Sequence, residues 1–256
     1  MALDMALEGK HAFVTGGGRG IGRAVAAALA AAGATVTVIG RTEAPLREAV
    51  EAGEAAGCGI ADITDVVEVR RQVTAAEAAR GPIAILVNNA GSVESGPFTK
   101  ADPAVFHTMW NVHLMGAVYA TQAVLPGMIE RGFGRVVNVA STAGLKGYPY
   151  VTAYCAAKHA LVGLTRALAA ETATRGVTIN AVCPGYTDTE LVRDSIARIA
   201  AKTGRARTQV LAEYTKDAPI GRLIRPQEVA AAVLYLCSPE AAAVTGTTLA
   251  VAGGEM

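Results

Sequence analysis

The 256-residue sequence predicts an α/β fold: a single domain with a doubly wound, mainly parallel sheet of about seven strands and helices on both faces. Short apolar runs alternate with helix-patterned segments from end to end. A glycine cluster, Gly16-Gly-Gly-Arg-Gly-Ile-Gly22, stands between the first run and the first helix, and neither a second composition zone nor an internal repeat divides the chain. With 52% hydrophobic and 18% charged residues, the chain can bury a sizeable core.

Taken in order, residues 11–15 (HAFVT) read as the first strand, residues 23–32 as an alanine-rich helix closed by Gly33, and residues 34–39 as the second strand. A helix over 43–56 ends at Gly57, residues 58–62 form a short third strand, and a further helix runs to about residue 80. Residues 83–87 are the fourth strand, followed by Asn88-Asn-Ala-Gly91. Apolar residues at Phe106, Met109, Trp110, Leu114, Val118 and Leu125 carry helical spacing, so one long helix is expected over 103–131. Residues 135–140 are a buried strand ending at Ser141, and a helix carrying Tyr154 and Lys158 continues to about residue 175, with Gly176 past its end. Residues 177–182 are the next strand, broken by Cys183-Pro-Gly185. Two helices over 190–218, interrupted by Gly204, are read as a mobile substrate lid. A helix over 229–236 and a last strand over 244–251, closed by Ala252-Gly-Gly254, complete the chain.

The bulk numbers exclude several functions. A net charge of +1 with 5% aromatic residues gives no basic field for nucleic acid. The most apolar helix-like stretch, 24–32, is far short of the roughly 18 residues of a membrane span, and the amino terminus, with Asp4 and Glu8, lacks the pattern of a secretory leader. A cytoplasmic protein is expected. Cys58, Cys155, Cys183 and Cys237 show no metal or disulfide spacing, nor do His11, His107, His113 and His159, so no metal is expected.

Two stretches carry chemistry. Strand, glycine loop and helix follow one another as a phosphate-binding turn requires: glycines let backbone approach a pyrophosphate, and the helix amino terminus offers free N–H groups. Further on, Tyr154 and Lys158 lie one helical turn apart, on one face. A free phenol ionises near ~10, so bringing it to neutral pH needs about 4 kcal/mol. An ammonium about 4 Å away, at an effective dielectric near 20, supplies that much. Ser141, at its strand end, projects a hydroxyl toward the phenol that can bond a substrate oxygen.

Ser141, Tyr154 and Lys158 in this arrangement, with Thr15-Gly16-x-x-x-Gly20-x-Gly22, resemble the short-chain dehydrogenase/reductase family, and the resemblance spans about residues 9–254. It implies a Rossmann fold, a nicotinamide cofactor and hydride transfer between nicotinamide and a carbonyl or secondary alcohol. Tyr154 would give or take the alcohol proton, Ser141 would bond the oxygen, and Lys158 would depress the tyrosine pKa and hold the nicotinamide ribose. Cofactor contacts are implied for Thr15, Gly16, Gly18, Arg19, Gly20, Ile21 and Gly22, for Asn89, Ala90 and Gly91 in a motif that also steadies the sheet, and for Pro184, Gly185 and Thr189 at the nicotinamide. Asp62, with Ile63, stands where relatives meet the adenine, or caps the following helix.

NAD-preferring relatives carry an acid after the second strand; here Gly40 and Arg41 follow it. With Arg19 this gives a 2′-phosphate two cationic partners, so NADP(H) is the expected cofactor, with NAD(H) the alternative and a solvated Arg41 the plain reading. His113 occupies the position usually held by a catalytic asparagine, whose main-chain carbonyl helps hold a water that links the lysine to solvent. It preserves that relay, adds a group titrating near pH 6.5, or is a core histidine.

The overall pattern, including Pro219-Ile-Gly-Arg222, looks most like enzymes that reduce a 3-oxoacyl thioester on acyl carrier protein or CoA. Arg193, Arg198, Lys202, Arg205 and Arg207 either suit the phosphate of such a carrier or form a solvated face. The alternatives are an oxidative secondary alcohol, steroid or polyol dehydrogenase and, from another class, a non-catalytic nucleotide-sensing binder. Relatives are commonly homotetramers, and a homotetramer or homodimer is expected.

Overall fold

The computed structural model describes residues 6–255; residues 1–5, on which the reading of the amino terminus partly rests, and residue 256 lie outside the described part. Strands β1 (His11–Thr15), β2 (Thr35–Gly40), β3 (Gly57–Ile60), β4 (Ile83–Asn88), β5 (Gly134–Val139), β6 (Val177–Pro184) and β7 (Thr248–Val251) form one sheet. Their order is β3-β2-β1-β4-β5-β6-β7, and every neighbouring pair is parallel. β1, β4, β5 and β6 are buried throughout, as central strands covered on both faces must be.

Alternation along a strand sends side chains to two cores. Ala12 and Val14 of β1 join Val25 and Leu29 of α1 (Gly20–Ala31), Leu46 of α2 (Glu43–Glu51), and Val229 and Val233 of α9 (Pro226–Cys237) on one face. Phe13 joins Val69 and Val73 of α3 (Val66–Arg80) and Val124 and Met128 of α5 (Gly116–Glu130) on the other. Strand order reverses between β1 and β4, so connections leave the two in opposite directions and a crevice opens beyond their carboxyl ends.

Several boundaries differ from the sequence reading, each for a local reason. α1 starts at Gly20, so the end of the glycine loop is already its first turn. α2 stops at Glu51 because Gly53 turns away in the left-handed region at φ 73°. The last strand is only β7, because Asn180 bonds Val244 O and Thr247 N and Gly246, at φ 74°, turns the segment before it. The long helix expected over 103–131 is α4 (Pro103–Trp110) joined to α5 through a π-helical turn, Asn111–Met115. That run of 28 residues, Pro103–Glu130, is long and apolar enough to cross a membrane, which the reading based on residues 24–32 missed. It packs instead against α3, β4, β5 and α6 (Thr152–Thr172). Residues 190–218 contain α7 (Glu190–Thr203) and α8 (Arg207–Thr215), separated at Gly204 with φ 70°.

Candidate active site

At the end of β1 the chain turns sharply into α1, and the turn is locked to β4. Thr15 Oγ1 accepts hydrogen bonds from the Asn89 and Ala90 amides at 2.9 and 3.0 Å. Asn89 Nδ2 donates to Thr15 O at 3.0 Å and to Gly16 O at 3.2 Å. This clasp dictates two glycines: a Cβ on Gly16 would stand 2.9 Å from Ala90 Cα, and one on Gly22 would collide with Gly16 O and Asn89 Nδ2. Gly20 is left-handed at φ 52°, and its Cβ would meet Thr189 Cγ2 at 3.1 Å. Arg19 gives α1 no side-chain cap, so among the described residues the N–H groups of its first turn are left to receive an anion. The loop thus fits a pyrophosphate: Arg19 is exposed and Gly20 and Ile21 half-buried at its mouth, Gly18 is buried against Pro45 and Leu46, and Thr15, Gly16, Gly22, Asn89 and Ala90 build the loop.

The other expected cofactor contacts, Arg41 apart, have partners inside the chain. Arg41 is exposed, whereas Arg19 pairs with Glu190 at 3.1 Å on the surface. Asp62 Oδ1 accepts from Thr64 N at 2.9 Å and Thr64 Oγ1 at 2.8 Å, which holds its carboxyl below the usual range, and the α3 cap is Asp65. Ile63 is buried in the core against Gly116. Pro184 ends β6, Gly185 N bonds Val251 O, and Thr189 caps α7 through Val192 N at 3.4 Å.

Ser141, Tyr154 and Lys158 converge beyond the end of β5. Ser141 Oγ accepts from Ala143 N at 3.1 Å, capping the short turn Thr142–Gly144, and its own proton is left to donate toward Tyr154 or a substrate oxygen. Lys158 is buried, and its Nζ donates to Val139 O at 2.8 Å and lies 5.6 Å from the Tyr154 ring centre. Here the expected electrostatics are corrected. Tyr154 is half-buried, and desolvation of its phenol pushes it up to about 12, with hydrogen bonding to Ser141 pulling the other way. Burial brings the Lys158 ammonium down to about 7, so near neutral pH it is itself only partly charged. Spacing placed the pair one turn apart but said nothing of the desolvation both undergo.

His113 lies in the π turn, edge-on to Tyr154 with ring centres 5.1 Å apart. Its Nε2 is 2.7 Å from Ser92 O; a carbonyl only accepts, so Nε2 carries the proton and Nδ1 a lone pair. Burial, with Lys158 adding to it, holds the imidazole down at about 3, which corrects the expectation of a group titrating near pH 6.5. The ring also explains Gly91: a Cβ there would stand 2.7 Å from His113 Cε1.

His113 Nδ1 is buried without a hydrogen-bond partner, and so is Asn88 Oδ1. A chain of donors fixes that orientation of Asn88. Thr165 Oγ1 donates to Leu161 O, so it accepts from Asn138 Nδ2, and Asn138 Oδ1 then accepts from Asn88 Nδ2. Both residues line, with Thr15, Val139 and Lys158, a cavity of about 10 Å³, the size of one water. Asn88 is a site residue that the sequence reading passed over, and only its place before Asn89 in the motif pointed to it.

Comparison with known proteins agrees with this geometry. A family model described as short chain dehydrogenase matches residues 10–200. The chain is 41% identical over 253 residues, covering 97% of each, to 2-(S)-hydroxypropyl-CoM dehydrogenase 3 of Xanthobacter autotrophicus. It is 39% identical over 246 residues to acetoacetyl-CoA reductase of Shinella zoogloeoides, covering 95% of this chain and 97% of that protein. A solved variant of actinorhodin polyketide ketoreductase with NADPH superposes with a TM-score of 0.92 at 36% identity, over 98% of both chains. Fold, sequence and relatives agree: this chain is a member of the short-chain dehydrogenase family, an oxidoreductase.

Proposed function

We propose that the protein reduces a 3-oxoacyl thioester, on acyl carrier protein or CoA, to the 3-hydroxyacyl form with NADPH. The observation that carries the reading is the meeting of Ser141, Tyr154 and Lys158 beyond β5 in a chain similar to acetoacetyl-CoA reductase and to an NADPH-bound ketoreductase, with the Tyr154 phenol in the protonated form that donates to a developing alkoxide. The nicotinamide, when bound, supplies the hydride. Ser141 offers the substrate oxygen a second hydrogen bond, and the charged fraction of Lys158 passes a proton toward Tyr154, while a water donating its two protons to His113 Nδ1 and Asn88 Oδ1 would turn its lone pairs to the lysine and hold it in place. His113 acts as a fixed acceptor rather than an acid or base.

The reading of the thioester rests on the resemblance to acetoacetyl-CoA reductase and to the ketoreductase. Arg41, exposed beside the glycine loop, supports a 2′-phosphate, with NAD(H) the alternative; Arg19 joins it only by leaving Glu190. Pro184, Gly185 and Thr189 serve the nicotinamide end, and α7 and α8 serve as the lid. The basic residues of that lid are partly neutralised, since Arg193 pairs with Asp188 and Arg205 with Glu213. Four free cysteines suit a reducing, cytoplasmic setting. Trp110, 45% exposed on α4, and the half-buried edge strand β7 suit homotetramer contacts.

Nicotinamide absorbance tests the proposal, with 3-oxoacyl thioesters, cyclic ketones and sugars as substrates. Fastest NADPH oxidation with the thioesters is expected. Faster reduction of NADP(+) or NAD(+) by a secondary alcohol would favour the oxidative reading, which the likeness to the hydroxypropyl-CoM dehydrogenase supports. No response to any carbonyl would favour a nucleotide-sensing binder.

A further inference from the structure

The chain's last described residue is not a loose end. Gly253 and Gly254 are left-handed, at φ 62° and 90°, and sit so close under the segment after α8 that a Cβ on Gly254 would stand 3.0 Å from Pro219 Cγ. Gly253 O accepts from Ile220 N at 3.0 Å. The double turn drives Glu255 inward, where it is 3% exposed. Its Oε1 accepts a 2.5 Å bond from the Tyr148 hydroxyl, and its Oε2 would lie 3.3 Å from a Cβ on Gly185. A phenol has one proton, so the 2.7 Å bond between Tyr148 and Thr142 Oγ1 is completed by the threonine's proton. Thr142 follows Ser141 directly. The carboxylate therefore backs a wall made of Tyr148 and the Gly185-Tyr186 segment, beside the groups that face the reacting carbonyl.

The wall's charge follows from its neighbours. Lys146 Nζ is 3.4 Å from Glu255 Oε1 and is half-exposed. Asp217 and Glu213, both exposed, face Lys216, so charges of both signs lie at the rim, and Glu255 is the one carboxylate of this group that is buried, which leaves its charge the least screened toward the Tyr186 hydroxyl. Tyr148 has spent its proton on the carboxylate, so its oxygen offers the pocket only a lone pair. We propose that Glu255 is a specificity-determining residue: it makes the wall beside Ser141 and Tyr154 an acceptor of negative potential, which admits neutral carbonyls such as thioesters and esters and turns away 3-oxo acids with a free carboxylate.

This deepens the thioester reading and rests on it only for the physiological substrate. The test uses methyl acetoacetate and acetoacetate, which present the same ketone with and without a carboxylate, as substrates or, where turnover is slow, as competitive inhibitors. The wild type is expected to favour the ester by about tenfold or more. In Glu255→Gln the preference should fall to within about threefold, while Tyr148→Phe, which keeps the charge, should retain it. Raising salt should improve the apparent affinity for acetoacetate and not for the ester, a readout that needs no variant if Glu255→Gln fails to fold. Equal handling of the two compounds by the wild type, or an unchanged preference in a folded Glu255→Gln, would overturn the proposal. Reduction of the ester without any thioester would refute the thioester reading alone.

Discussion

Around Thr15, at the end of β1, the polar groups that packing buries have partners: the threonine hydroxyl accepts two amides, and the Asn89 side chain bonds two carbonyls. One strand further, around Asn88 and Val139, an amide oxygen and an imidazole nitrogen are buried without partners, and a lysine is buried beside them. An unsatisfied buried group costs about 1–3 kcal/mol, so the second region is the less comfortable of the two. The first suits a fixed shape, as a pyrophosphate held by backbone would require. The second needs groups whose protons can move, and burial without full satisfaction provides them.

This contrast can be broken by exchanging where the damage falls. The largest effect belongs to Tyr154→Phe, which should lower kcat by about a thousandfold and leave the dissociation constant for NADPH, read by fluorescence titration, nearly unchanged. Gly22→Ala should do the reverse. Its methyl must push against Gly16 O and Asn89 Nδ2, so cofactor affinity should fall more than tenfold and stability by about 2–3 kcal/mol in denaturant melts.

The titration of His113 sharpens the catalytic side. Its folded pKa of about 3 lies below the unfolded value near 6.5, so the unfolded state binds the proton first on acidification. The stability it contributes is complete above pH 6.5 and is lost as pH falls toward 3. Between pH 6.5 and 5 the wild type should lose about 2 kcal/mol more than His113→Asn, measured by urea unfolding, and the kcat limb that Lys158 sets near pH 7 should be the same in both proteins. The smallest effect is expected at the exposed edge of the binding side: Arg41→Ala should cut the preference for NADPH over NADH by about tenfold in KM, and unchanged discrimination would remove the argument for a 2′-phosphate.

What was legible in the sequence follows the same division. The glycine loop, the alternation of strands and helices, and the one-turn spacing of Tyr154 and Lys158 are local features, and the fold keeps them. The desolvation of the phenol was not legible, because it depends on the whole shell around it, and it acts against the pull that the spacing of Tyr154 and Lys158 predicts. Nor was the role of Asn88, whose orientation is set by Asn138 and Thr165 from distant parts of the chain. The π turn that carries His113 leaves the apolar spacing of the long helix intact, so no pattern announced it. Gly253 and Gly254 read as a terminal turn, and nothing in them said that Glu255 would be buried.

The central claim is that in the free protein desolvation of the half-buried Tyr154 makes its phenol a standing acid. Ultraviolet difference titration of the wild type against Tyr154→Phe isolates that one phenol. No phenolate from Tyr154 is expected until well above the ordinary tyrosine range, near pH 12. A phenolate signal appearing near pH 7 would contradict the account and return the lysine to the part the spacing first gave it.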